Sequence, residues 1–286
     1  NASLKVVAKN KKKLKDIEIN YNDLPQWFIK STNSLSINNK KKFLKNFYKE
    51  PDVHIVFKNK EKLNKFEEDI VRTSSTSGFL INKKEIESKK SFLKGDWWVQ
   101  DFCSFFPINN IIFKNQNLKF LDACAAPGGK AFQLLSKNLE VTLNDKSKRR
   151  IQVLKSNLNR LKFNPTILNR DFINFDKNEK FDFIIIDAPC SAIGTIRKNP
   201  EIFFKSKMPD FDGLNNLQQN MLEKAAHLLN VGGNILYMTC SFIKNETFDQ
   251  INKFLKNNNN FLIDNLILTE ENLKFSKLVK NNLMIT

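Results

Sequence analysis

The stretch Phe120-Leu121-Asp122-Ala123-Cys124-Ala125-Ala126-Pro127-Gly128-Gly129-Lys130 constrains this chain more than any other. Lys119 to Leu121 reads as the end of a buried strand, Pro127-Gly128-Gly129 forces a tight turn almost without side chains, and Lys130 to Lys137 reads as the start of a helix. A strand, a glycine turn and a helix N-terminus in that order let a ligand sit on backbone N–H groups. The chain holds only 8 glycines and two stand side by side here, so the turn needs backbone freedom. An ordinary strand-to-helix turn could use the same residues, so function has to be read from the rest of the chain. A phosphate loop would need Gly at the position of Cys124 and Ser or Thr at that of Ala131. The G-x-G-x-x-G fingerprint is absent as well. A nucleoside ligand without a triphosphate fits better.

From about Lys119 the pattern alternates. Strands are expected at Phe120-Leu121, Glu140 to Leu143, Thr166 to Leu168, Phe181 to Ile186 and Ile235 to Met238, with helices between them, notably Ser147 to Leu161 and Leu214 to Leu229. Alternating β and α with continuous apolar strands predicts an α/β fold whose parallel sheet is covered on both faces. Ligands of such sheets bind beyond the carboxyl ends of the strands. Ahead of it, residues 1–90 read as a small basic α+β module, and 91–286 as the catalytic domain. Residues 1 to about 20 are strongly basic, helices are expected from Pro25 and over Asn38 to Tyr48, a strand over Val53 to Phe57, a helix over Glu61 to Ile70 and a strand over Gly78 to Ile81. Trp97-Trp98 reads as packing rather than base stacking.

Lys+Arg number 47 against 30 Asp+Glu, a net charge of +17, which points to a polyanionic partner, most simply nucleic acid. An AT-rich coding bias would explain many lysines but not so few acids. No apolar run has membrane-spanning length and no signal peptide is visible, so a soluble, cytoplasmic, monomeric protein without a membrane partner is expected. Cys103, Cys124, Cys190 and Cys240 form no C-x-x-C pair, and with only His54 and His227 beside them no metal site is expected. Both histidines read as structural or exposed.

Acids follow most strands of the alternating region: Asp145 after the second, Asp171 after the third and Asp187 at the end of the fourth, in Asp187-Ala188-Pro189-Cys190-Ser191; Thr239-Cys240-Ser241 ends the fifth. One such acid is commonly a helix cap, but this series converges on one rim. Asp145 stands where a carboxylate can take both ribose hydroxyls. A glycine turn and several acids without phosphate machinery point to S-adenosylmethionine, whose sulfonium favours an acidic pocket. The two cysteines point to thiolate catalysis. A thiolate adding to carbon 6 of cytosine makes carbon 5 enamine-like and able to accept a methyl group. Spacing alone does not rank Cys190 against Cys240.

With these residues together, the chain resembles the Nop/Sun family of RNA cytosine-carbon-5 methyltransferases, most closely the bacterial Sun branch acting on small-subunit ribosomal RNA. The motifs that carry the resemblance are Asp122 to Lys130, Asp187 to Ala192 with Gly194, Arg197 and Pro200, and Thr239-Cys240-Ser241; Asn144-Asp145 with Arg149-Arg150, Arg170-Asp171 and Val99-Gln100-Asp101 also fit. The resemblance implies a class I, Rossmann-like methyltransferase fold with a mostly parallel seven-stranded sheet. It implies that the loop Cys124, Ala125, Ala126, Pro127, Gly128, Gly129 and Lys130 holds the methionine part of S-adenosylmethionine, with Asp145 at the ribose, Asp171 on the adenine side and Arg150 and Asp187 also in the cofactor site. Cys240 would be the nucleophile and Cys190 would assist release, with Asp187 and Lys130 completing the catalytic group. Cys124 reads as a small buried turn residue rather than a working thiol.

Some features depart from the family pattern. The chain opens on Asn1, and a preceding helical RNA-binding domain resembling the antitermination factor NusB is expected to be missing. Lys280 to Thr286 lacks the usual final strand, and Asn245-Glu246 fits the family's Glu-Glu-Asn only loosely. Two other readings stand beside this one: the same chemistry on transfer RNA, and a non-catalytic RNA-binding or assembly factor with a methyltransferase shell.

Overall fold

The structure, a computed structural model, describes residues 20–47, 49–113, 115, 117–176, 178–204, 208–264, 276–279 and 282–285. The basic stretch before residue 20 and the end at Thr286 lie outside the described residues. The described chain forms two units.

One unit joins the described residues up to Pro51 with Ala192–Pro209. Its helices are α1 (Gln26–Ser31), entered through Pro25, and α2 (Ile37–Phe47). Short 3-10 turns at Ile193–Thr195 and Pro200–Phe204 complete it. Aromatic rings make the core. Phe28 is fully buried, with its ring 4.9 Å from that of Phe203 and 5.2 Å from that of Phe43. Tilted and edge-on pairs at such separations are favourable beyond the area they bury. While Phe43 turns inward, Lys41, Lys42 and Lys45 of α2 are exposed, as its amphipathic pattern predicts.

The other unit begins with a small antiparallel sheet of β1 (Val53–Phe57), β2 (Ile70–Ser74), β3 (Ser77–Leu80) and β4 (Trp97–Val99), in the order β2-β3-β1-β4. Between them lie α3 (Lys60–Asn64) and α4 (Lys90–Leu93), and α5 (Phe102–Asn109) follows. The helix expected to run to Ile70 therefore stops at Asn64. Phe66 N–H bonds back to Leu63, and Ile70-Val71 belongs to a β-branched run that pairs with β3. Residue 90, where a domain boundary is expected, lies inside this layer, because β4 pairs with β1 and sets Trp97 opposite Phe57. Trp97 and Trp98 are buried packing residues. His54 is structural, its ring nitrogens bonded to the Gln100 carbonyl at 3.0 Å and the Thr73 hydroxyl at 2.9 Å.

The second sheet consists of β5 (Lys119–Asp122), β6 (Glu140–Asn144), β7 (Thr166–Leu168), β8 (Phe181–Asp187) and β9 (Leu229–Met238). All its pairings are parallel, in the order β7-β6-β5-β8-β9. Helices α6 (Gly129–Leu135), α7 (Lys148–Leu161), α8 (Phe211–Leu228) and α9 (Phe248–Asn257) alternate with the strands. Ser147 caps α7, which buries Ile151, Leu154, Leu158 and Leu161 along one face. Near its end, Arg160 ties the two sheets together: Nη1 donates to the carbonyls of Phe92 at 2.7 Å and Trp97 at 3.0 Å, and the guanidinium lies 3.7 Å from the Phe92 ring centroid. The single seven-stranded sheet implied by the resemblance is not formed among the described residues. The parallel ladder has five strands, and β10 (Ser276–Val279) and β11 (Asn282–Ile285) pair only with each other, antiparallel.

Phe28→Ala should cost about 3–5 kcal/mol, the usual loss for removing a fully buried ring. Urea unfolding should show this as a lower midpoint, and an unchanged midpoint would show that the aromatic cluster does not hold its unit together.

Candidate active site

The strand order reverses between β5 and β8, so their carboxyl ends open a crevice. The chain leaving β5 is pinned on both sides: Ala123 N–H bonds to the Ile185 carbonyl at 2.9 Å, and Ala125 N–H to that of Asn144 at 2.8 Å. The Ala126–Pro127 peptide is cis. Gly128 sits at φ 117°, and a Cβ there would stand 2.0 Å from the Phe132 ring, so this position takes only glycine. Gly129 opens α6 with the Gln100 side chain lying over it, 3.3 Å from where its Cβ would be.

Lys130 and Asp187 meet across this crevice at 2.6 Å, both largely buried. Burial pulls the Lys130 pKa down, but the charges of Asp187, Cys240 and Asp122 outweigh it, so the ammonium is held above its ordinary value. Asp122, fully buried beneath the turn, accepts from Cys124 N–H at 3.3 Å and leaves its Oδ2 without a partner. Burial raises its pKa from 3.8 to about 7. The same burial pushes the Cys124 thiol up to about 12, keeping it protonated and inert.

Asp145 is buried at the end of β6 and its oxygens are engaged. It accepts from Ala126 N–H at 3.3 Å and Ser147 N–H at 2.9 Å, and pairs with Arg150 at 3.1 Å. Arg150 also donates to the Ala126 carbonyl. Asp171 caps the short turn after β7, and its Oδ2 pairs with Lys146 at 2.6 Å. The Lys146 hydrogen bond holds its carboxyl below the usual value.

The two thiols meet. β8 and β9 run parallel with Asp187 opposite Met238, so the segments that leave them travel side by side. Cys190 is hydrogen-bonded to Cys240, and this contact lowers the Cys240 pKa. Burial and the charges of Asp187 and Asp101 oppose it, Lys130 assists it, and the net shift is downward. Behind the pair, the buried Glu246 accepts from Ser191 N–H at 2.7 Å and from the Ser191 hydroxyl at 2.6 Å.

A cavity of about 440 Å³ gathers Cys124, Ala125, Ala126, Pro127, Gly129, Lys130, Asp187 and Cys240, together with Gln100 and Asp101. Asp145, Arg150, Asp171, Cys190 and Gly128 stand behind or beside its lining rather than in it. Sequence reading missed the working parts of Glu246 and Gln218, whose amide donates to the Pro189 carbonyl at 2.9 Å. The sequence signal for Glu246 is the loose match of Asn245-Glu246 to the family's Glu-Glu-Asn after Cys240. Among the described residues, no group of three or more His, Cys, Asp or Glu could hold a metal.

The strand order, with the glycine turn and acids at its switch point, defines a Rossmann-like α/β fold. Residues 110–284 match the family described as 16S rRNA methyltransferase RsmB/F, and the chain belongs to that family. Among curated relatives, ribosomal RNA small subunit methyltransferase B of Shewanella oneidensis is 34% identical over 211 residues, covering 72% of this chain and 49% of the relative. The probable ribosomal RNA small subunit methyltransferase B of Bacillus subtilis is 31% identical over 188 residues, covering 63% and 41%. The chain thus spans at most about half the length of these relatives. The crystal structure of NSun6 from Pyrococcus horikoshii with SFG shares the fold at a TM-score of 0.71 and 16% identity, covering 85% of this chain and 90% of that one. No helix among the described residues is long and apolar enough to cross a membrane.

Asp122 offers a test of the buried electrostatics. A carboxyl whose folded pKa is raised from 3.8 to about 7 stabilises the fold fully below 3.8, and loses that contribution as pH rises through about 7. Asp122→Asn cannot ionise, so its Tm relative to wild type should improve by several degrees between about pH 5 and about pH 8. A difference that stays constant would show that Asp122 does not titrate in this range.

Proposed function

We propose that this chain is the catalytic part of an S-adenosylmethionine-dependent enzyme that methylates carbon 5 of cytosine in structured RNA, with small-subunit ribosomal RNA as substrate. The observation that carries the reading is Cys240 in the wall of a cavity that also holds Lys130, Asp187 and the glycine turn, with Cys190 hydrogen-bonded to its thiol. Family membership and the net charge of +17 support the RNA substrate.

The residues present fit the cofactor. The cavity has the size of a small-ligand site. Its floor is the side-chain-poor turn from Ala125 to Gly129, and Asp187 and Asp101 present carboxylates suited to a cationic ligand. The turn would take the methionine part, Asp145 the ribose and Asp171 the adenine side. Ribose binding at Asp145 requires Arg150, whose side chain is 52% exposed, to give way. When bound, S-adenosylmethionine supplies an electrophilic methyl group.

The chain's own residues do the rest. The target base must leave its stack to reach the cavity. Cys240 reacts as the thiolate, because its lowered pKa raises the ionised fraction and Cys190 donates to it. Its addition to carbon 6 makes carbon 5 nucleophilic. Once carbon 5 is substituted, loss of its proton expels the Cys240 thiolate and restores the ring. Cys190 stands beside Cys240 to assist that release. Lys130 remains an ammonium and fixes Asp187 at the rim, where its carboxylate would face cofactor and base.

Tritiated methyl transfer to unmodified small-subunit RNA and to bulk transfer RNA, with digestion to nucleosides, tests the reading. Label in 5-methylcytidine from ribosomal RNA is expected, and label from transfer RNA alone would overturn the substrate. Cys240→Ala should abolish turnover and the covalent RNA adduct, while Cys190→Ala should accumulate the adduct. The reverse pattern would exchange the two roles. RNA affinity should fall steeply between low and moderate salt, since neutralised phosphates release counterions; a flat salt dependence would remove the charge argument for RNA.

A further inference from the structure

Glu246 is fully buried, five residues beyond Ser241 in the segment that carries Cys240. Its Oε1 accepts from Ser191 N–H at 2.7 Å and from the Gln218 amide at 3.4 Å, and its Oε2 accepts from the Ser191 hydroxyl at 2.6 Å. Its own backbone carbonyl accepts from the Tyr237 hydroxyl on β9 at 3.0 Å. Gln218 also donates to the Pro189 carbonyl at 2.9 Å, and the Ser191 hydroxyl lies 3.4 Å from that of Ser241. The residues flanking Cys190 are therefore fastened, through one carboxylate and one amide, to the segment that carries Cys240. Losing hydrogen bonds inside a buried cluster leaves donors and acceptors on both sides unsatisfied.

We propose that Glu246 is a positioning residue, a clamp that holds the Pro189-Cys190-Ser191 loop against the Cys240 loop so that the Cys190 thiol meets Cys240. The inference rests on the proposed role of Cys240 as nucleophile, and it adds the means by which the second thiol is brought to the first. The charged and titratable groups facing Cys240 are Cys190, Asp187, Lys130 and Asp101. Tyr237 faces both Cys190 and Glu246, and burial holds its hydroxyl protonated. Of these, Cys190 is the group on the loop that Glu246 grips. Loosening the clamp should therefore remove the Cys190 contact while leaving Lys130 and Asp187 paired.

The test reads thiol chemistry rather than turnover. Alkylation of Cys240 by iodoacetamide, followed by mass spectrometry of the peptide that contains it, gives a rate profile against pH for the wild-type chain, Glu246→Ala, Glu246→Gln, Ser191→Ala and Cys190→Ala. The Glu246→Ala midpoint should rise towards that of Cys190→Ala, by roughly half a pH unit or more. Ser191→Ala should move it less in the same direction, and Glu246→Gln, which keeps an acceptor for Ser191 N–H, should recover part of the difference. If Glu246→Ala does not fold, Glu246→Gln and Ser191→Ala decide: a rise in either supports the clamp, and no rise in both overturns it. A folded Glu246→Ala chain with the wild-type profile also overturns it, leaving Glu246 a stability residue. Should the wild-type chain methylate no RNA while these midpoints still move, the proposed reaction fails and the clamp stands. Should it methylate RNA while no midpoint moves, only the clamp fails.

Discussion

The ion pair between Lys130 and Asp187 is the contact on which the site depends. Each charge is largely out of water and has the other as its counter-ion at 2.6 Å. The pair spans the crevice where the strand order reverses, joining the first turn of α6 to the end of β8. It therefore fixes the glycine turn relative to the loop that leads to Cys190. Removing one partner would leave an uncompensated buried charge, a loss on the order of 3–5 kcal/mol in comparable cases. Removing Lys130 in particular would also take from Asp122 the cation whose charge opposes its protonation.

Parallel pairing does the rest of the assembly. Because Asp187 and Met238 are opposite each other in adjacent parallel strands, the loops beyond them emerge on the same rim. Ala188 N–H extends the ladder to the Met238 carbonyl at 2.9 Å. Two cysteines 50 positions apart in sequence thus become neighbours through sheet register. Register alone brings them near one another; the contact between thiols also needs the side-chain bonds at Ser191, Gln218 and Glu246. The sheet supplies position to within a strand spacing, and the buried polar groups supply the remaining precision.

How much could be read from the sequence depends on how local each signal is. The glycine turn, the five parallel strands and the acids at their ends are carried by short stretches whose periodicity and turn chemistry act within about ten residues. They appear where expected, except that β9 begins at Leu229 rather than at Ile235. Spacing did not rank the two cysteines, and their neighbourhood was not legible, since it comes from the register of strands β8 and β9. The engagement of Asp145 by Arg150, Ala126 and Ser147 was not legible either, because an acid after a strand looks the same whether its oxygens are free or taken. The small antiparallel sheet was half visible: Val53 to Phe57 announced a strand, but Trp97 to Val99 pairs with it from 40 residues away. Phe203 joining Phe28 and Phe43 is a contact between segments with no local relation at all.

The charge of the chain is distributed against its average. The sequence as a whole carries +17 and the lysines Lys41, Lys42 and Lys45 are exposed, while Asp122, Asp145, Asp187 and Asp101 gather around the site. Exposed lysines act through water over roughly one Debye length and recognise only a polyanion's density of charge. Buried carboxylates act over a few ångströms through a weakly screening medium, and their effect depends on which group enters. In the proposed function the outer field would gather the RNA without reading it, and the inner one is suited to a small cationic ligand that the outer field would repel. A site of one sign set within a protein of the other separates the two binding events by range, so strengthening the first need not weaken the second.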